Sequence, residues 1–197
     1  MTGLILASQS ASRKMMLAAA GIDFTAHAAG VDEEAVKASL AHLGGRDLAD
    51  ALAELKAVKI SRRFPDALVL GCDSTVTAPD GRLIDKTCSR AEAAAQLRGL
   101  AGATHSLSSA AVVAQHGAPI WRHVDTAKLT MRDFSDDFLD AYLDAEWPAI
   151  GSCVGGYRLE GLGAQLFTRI DGNHFTILGL PLLQLLDWLR VRGVIAA

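Results

Sequence analysis

The run Ala67-Leu68-Val69-Leu70-Gly71-Cys72 breaks off at Asp73-Ser74-Thr75. A stretch that is apolar at every position has no solvent face, so it predicts a strand over 67–72 buried on both sides, with packed layers above and below it. Such strands belong to α/β architectures, in which ligands and catalytic groups gather where strands leave the core. Asp73 stands at that place. A lone aspartate there also reads as an Asx turn ending the strand, and both readings stand at this point.

The rest of the chain supplies the layers. Residues 4–7 form a short apolar strand running into Ser8-Gln9-Ser10, and RKMMLAAAG has helical composition closed by Gly21. A second strand is expected over 23–28, followed by an acidic loop over 31–34. A long helix follows over 47–64, with Leu48, Leu52, Leu55 and Ile60 near one stripe and Pro65 as its stop. Pro79-Asp80-Gly81 turns a hairpin to Leu83 and Ile84, and Ser89 with Glu92 forms a capping box for a helix through Leu100. Strands over 110–114 and 120–131 flank a Gly117-Ala118-Pro119 turn. Ser135 opens a helix to Ala145, residues 151–163 are glycine-rich, and a strand over 164–170 leads to a terminal helix from Pro181 to Arg192. Strands and helices alternate without strict βαβ regularity, which predicts a mixed sheet with flanking helices in one domain, 1–197.

Composition narrows the function classes. With 19 Lys+Arg against 22 Asp+Glu in 197 residues, the net charge is -3, so no basic surface for a nucleic-acid polymer is expected. No apolar run reaches the roughly 18–20 residues of a membrane span, and the start lacks a basic n-region. The 3 cysteines, Cys72, Cys88 and Cys153, show no CxxC pair and read as free cytosolic thiols, giving a cytoplasmic expectation. The 6 histidines lack HxxxH or HExxH spacing and read as surface or capped residues.

Chemistry-bearing residues converge on phosphate. Ser8, Ser10 and Arg13 place hydroxyls and a cation at the opening of a helix, an anion-shaped arrangement that also reads as a plain serine cap followed by a basic turn. Glu33, Lys56, Lys86 and Glu160 are each ordinary solvated charges taken singly. With Arg13 and Asp73 they supply three cations for a polyphosphate and carboxylates for a divalent metal. A phosphoaspartyl mechanism requires a second aspartate two residues after the first, and Thr75 stands there. Neither GxxxxGK[ST] nor a strand-linked GxGxxG opens a helix.

LILASQSASRKMML, VDEE, LAELKA, VLGCDSTV, DKT and EGLGAQLFTRIDG followed by ILGLPLLQLL occur in one order from about residue 4 to residue 190. In this the chain resembles the Maf family of nucleoside triphosphate pyrophosphatases. The resemblance implies hydrolysis between the α and β phosphates of a nucleoside triphosphate with Mg²⁺, Mn²⁺ or Co²⁺, and a homodimer. It also implies a mixed α/β sheet in two lobes around a cleft, similar to the inosine triphosphate pyrophosphatases. Carried onto this chain, it makes Asp73 the catalytic proton acceptor and Ser8, Ser10, Arg13, Lys56 and Lys86 the phosphate contacts. Glu33 joins Asp73 as a metal carboxylate.

The positions that read the base depart from both main branches. The branch acting on dTTP and UTP carries Arg, Thr and Gln where this chain has Ser12, Ser74 and Glu160. Glu160 resembles the branch acting on 7-methyl-GTP, and a carboxylate accepts from guanine N1–H and N2–H while attracting a methylated, positively charged ring. That branch carries Trp and Gln at the places of Ser12 and Ser74. Thr87 replaces the usual Pro, and Phe175 a late Asn. The competing class is a nucleotide-binding regulator of septum formation with negligible turnover.

Overall fold

The computed structural model of the chain describes residues 3–196. Seven strands form one sheet: β1 (Leu4–Leu6), β2 (Phe24–Ala26), β3 (Leu68–Thr77), β4 (Leu83–Ile84), β5 (Thr104–Gln115), β6 (Ala118–Met131) and β7 (Phe167–Asp171). Their order is β2-β1-β3-β5-β6-β7, with β4 paired to β3. β1 runs parallel to β2 and β3, whereas the β3–β4 and β6–β7 pairs are antiparallel, so the sheet is mixed. The helices are α1 (Ala11–Ala19), α2 (Glu33–Ser39), α3 (Gly45–Ser61), α4 (Arg90–Leu100), α5 (Asp136–Glu146), α6 (His174–Ile177) and α7 (Leu182–Val191). The fold is therefore the expected α/β class with a mixed sheet flanked by helices. Among the described residues no helix is long and apolar enough to cross a membrane.

The chain divides into two compact units. The first comprises 3–74, 108–125 and 173–196, the second 75–107 and 126–172. In the first unit, Leu68, Leu70 and Cys72 of β3 pack with Leu4, Leu17, Val113, Leu185 and Leu189, the face covered by α1 and α7. The intervening Val69 packs with Ile5, Ala7 and Ile60 on the opposite face. Strand alternation thus puts both faces of β3 in core, as its unbroken apolar sequence requires. Gly71 is a close-approach position: a Cβ there would overlap the Ala53 carbonyl oxygen and the Ala57 nitrogen of α3.

In the second unit, Ser89 caps α4 by accepting from Glu92 N–H at 3.1 Å, while the Glu92 carboxylate accepts from Cys88 N–H at 2.8 Å. Ser135 caps α5. His105, Tyr157 and Phe167 form a buried aromatic cluster in which His105 Nε2 and the Tyr157 hydroxyl lie 2.7 Å apart.

Several elements differ from the sequence expectation. β3 does not stop at Cys72 but runs through Asp73 to Thr77, because its last residues are paired with β4. Asp73 is consequently a strand residue and not the Asx turn of the alternative reading. The acidic stretch after Val31 is not all loop: Asp32 caps α2 by accepting from Ala35 N–H, and Glu33 and Glu34 fill its first turn. Leu55 is 41% exposed and lies off the buried stripe of α3, which runs Leu48, Leu52, Lys56, Ile60. The β5–β6 turn is His116-Gly117, both at positive φ, and Pro119 falls inside β6. His105 is buried, not at the surface. Residues 162–166 form a 3-10 turn, so β7 starts at Phe167.

Candidate active site

β1 ends its pairing with β3 at Leu6 opposite Leu70, with a last bond from Ala7 N–H to the Leu70 carbonyl at 2.8 Å. β3 continues past that point, and the polar residues of the first unit collect around the end of β1. This is the strand end at which open α/β sheets present functional groups.

On the α3 face, Asp73 is 7% exposed and meets Lys56 Nζ at 2.5 Å. Lys56, itself 7% exposed, also pairs with Glu33 at 2.6 Å. Glu33 sits at the first position of α2, which brings its carboxylate over α3. One ammonium thus holds two carboxylates together, and the lack of a side chain at Gly71 lets α3 come near enough for Lys56 to do so. These two carboxylates are the groups that could share a divalent cation. Among the described residues no cluster of three or more His, Cys, Asp or Glu ligands is present.

On the α1 face, the loop into α1 is ordered by its own hydroxyls. Ser8 Oγ accepts from Ser10 N–H at 3.2 Å, and Ser10 caps α1 by accepting from Arg13 N–H at 3.4 Å. Ser12 lies half-buried in the first turn. The Arg13 guanidinium donates to the Gly179 carbonyl at 2.7 Å, to Ser8 Oγ at 3.3 Å and to Ser74 Oγ at 3.0 Å. Gly179, at φ +101, admits this approach: a Cβ there would meet Arg13 and the Ser74 hydroxyl at 3.3 Å. Ser10 therefore does cap a helix as the plain alternative held, and the same loop gathers the hydroxyls and the guanidinium.

Lys86 and Glu160 belong to the second unit, where both are exposed. The loop carrying Glu160 is fixed from beneath by Glu146, which is 6% exposed. Its carboxylate accepts from Arg158 at 2.5 Å and from Leu162 N–H at 3.3 Å. The first unit thus brings together Ser8, Ser10, Arg13 and Ser74 as one group, and Glu33, Lys56 and Asp73 as another, while Ser12 follows Ser10 in the first turn of α1. Sequence reasoning missed Glu146, Arg158 and Gly179. The available signal for Glu146 was a carboxylate in register with Leu139, Tyr142 and Leu143 on the buried stripe of α5.

The thiols are free and divergent in setting. Burial pushes the Cys72 thiol up to about 11, against weaker opposing fields from Arg13 and Lys56, so it is unreactive near neutrality.

The family model described as Maf-like protein matches residues 3–192. The chain belongs to the Maf family. Similar proteins span its length: one of Caulobacter vibrioides is 52% identical over 197 residues, covering 99% of this chain and 98% of the relative. One of Sphingopyxis alaskensis is 51% identical over 193 residues, with 97% and 98% covered. Both are named nucleoside triphosphate pyrophosphatase. A Jannaschia sp. relative, 48% identical over 198 residues with both chains covered to 100%, is named nucleoside triphosphate pyrophosphatase 1.

Proposed function

We propose that this chain is a nucleoside triphosphate pyrophosphatase, hydrolysing the α–β phosphoanhydride to a monophosphate and diphosphate. The observation that carries the reading is Asp73, a buried carboxylate on β3 whose oxygen is held at 2.5 Å by Lys56. In this reading Asp73 accepts the proton of the attacking water as the water's oxygen bonds to phosphorus and the anhydride oxygen leaves with its electron pair. Arg13, Lys56 and Lys86 meet the charge of the phosphates, and Ser8, Ser10 and the first N–H groups of α1 supply neutral donors. Asp73 and Glu33 are the residues that would hold Mg²⁺, Mn²⁺ or Co²⁺, which when bound neutralises phosphate charge. The active form in this reading is a cytoplasmic homodimer, checked by light scattering.

Ser12, Ser74 and Glu160 are proposed to read the base. Glu160 accepts from guanine N1–H and N2–H, favouring GTP or 7-methyl-GTP. Diphosphate release from 7-methyl-GTP, GTP, dTTP and UTP tests this. Guanine substrates are expected to lead, and Glu160→Gln, which offers one mismatched donor, is expected to erode the preference by roughly 10- to 100-fold. A dTTP or UTP preference overturns the base assignment. Nucleotide binding without turnover on any of them favours the regulatory alternative over the enzyme.

A further inference from the structure

Behind Arg13 lies a line of buried hydroxyls. Ser109 of β5 is fully buried, and its Oγ lies 2.7 Å from the Thr176 carbonyl and 2.8 Å from Ser74 Oγ. A carbonyl only accepts, so the single Ser109 hydrogen goes to Thr176. The Ser74 hydroxyl must then donate to Ser109, and with its hydrogen spent it accepts from Arg13 at 3.0 Å. The chain runs one way: guanidinium to Ser74, Ser74 to Ser109, Ser109 to the Thr176 carbonyl. Thr176 is also fully buried, and its own hydroxyl donates to Asp125 at 2.6 Å, which fixes the α6 end of the line.

We infer that Ser109 is a positioning residue for substrate binding, acting through Ser74 on Arg13. With Nε turned to Gly179 and one N–H of each terminal nitrogen engaged by Ser8 and Ser74, the guanidinium keeps a further N–H on each terminal nitrogen. These are the donors left for a phosphate, and their direction depends on how the guanidinium plane is held. Without Ser109 the Ser74 hydroxyl is free to rotate and present its hydrogen to Arg13, so one of the three fixing contacts is lost. Removing the Ser109 hydroxyl orphans no backbone group, because the Thr176 carbonyl also accepts from Gly179 N–H at 3.0 Å.

The inference rests on the phosphate role proposed for Arg13, so the test separates the two. Tripolyphosphate binding is measured by calorimetry on wild type, Ser109→Ala, Arg13→Ala and the double variant. Ser109→Ala is expected to weaken binding about 5- to 30-fold, and Arg13→Ala to cost at least about threefold less in the Ser109→Ala background than in wild type, the non-additivity of groups acting as a unit. Ser109→Cys, with a weaker donor of similar size, is expected to recover part of the loss. In turnover the defect is expected in KM, with kcat within about threefold, because phosphate charge is present before and during reaction. In the ligand-free protein the Arg13 Nε–H resonance is expected to be sharp and slowly exchanging in wild type and broadened or fast-exchanging in Ser109→Ala.

Wild-type tripolyphosphate affinity in folded Ser109→Ala, or an additive cycle, overturns the inference. If Ser109→Ala does not fold, Ser74→Ala cuts the same line at its half-buried end and is judged by the same binding and resonance criteria. If the wild type fails to bind tripolyphosphate, the phosphate reading of Arg13 fails, and an unchanged Nε–H resonance in Ser109→Ala separately refutes the positioning role.

Discussion

Lys56 joins two carboxylates from a position that a helical stripe would ordinarily give to leucine. Its charge is nearly removed from water, and the ion pairs with Asp73 and Glu33 offset that desolvation. Replacing it leaves Asp73 buried beside no cation. Lys56→Ala is therefore expected to lower stability by about 3 kcal/mol in urea unfolding, the scale for breaking a buried pair. An unchanged midpoint means that water reaches Asp73 freely. Lys56 was legible as a cation in a phosphate inventory but not as a buried one. The spacing Leu48, Leu52, Lys56, Ile60 holds the clue, but apolar character alone points to Leu55, one residue away, which is exposed.

At the scale of the element, the contact between α3 and β3 depends on Gly71. A methyl group there meets backbone, which cannot swing aside as a side chain would. Gly71→Ala is expected to cost about 1–3 kcal/mol, as overpacking does, and to lower activity as well by moving Lys56 away from Asp73. Thermal melting with a turnover assay checks both effects, and a fully stable, fully active variant contradicts the packing. β3 was legible up to Cys72 because its apolar run is continuous. Its extension through Asp73 was not, because pairing of Val76 and Thr77 with β4 overrides the polar composition there. α2 was missed for a similar reason: its seven residues are too few to show a helical period, although Asp32, Glu33 and Glu34 carry the charge signature of a helix start. The hydroxyl line through Ser109 left no sequence trace, since a serine inside SSAAVVA reads as a small strand residue.

For the whole molecule, the alternation of strands and helices already implied the mixed α/β sheet, and the family named from residues 4–190 is the one whose model covers 3–192. Global stability carries a pH signature of its own. Burial holds His105 down to about 4, below its ordinary 6.5, so the unfolded chain binds the extra proton first. The contribution is fully present above about pH 6.5 and is lost as pH falls from there through about 4, amounting to about 3 kcal/mol. Urea unfolding across that range is expected to show the loss in wild type and less of it in His105→Asn. Equal slopes place the titration elsewhere. Asp73 is proposed to drive cleavage between the α and β phosphates. The most direct test is phosphorus NMR of GTP turned over with Mg²⁺ by wild type and by Asp73→Asn. The expected result is GMP and diphosphate from wild type and a rate about 10²- to 10⁴-fold lower from the variant, the usual loss of a general base. Formation of GDP and inorganic phosphate, or a variant within a few-fold of wild type, contradicts it.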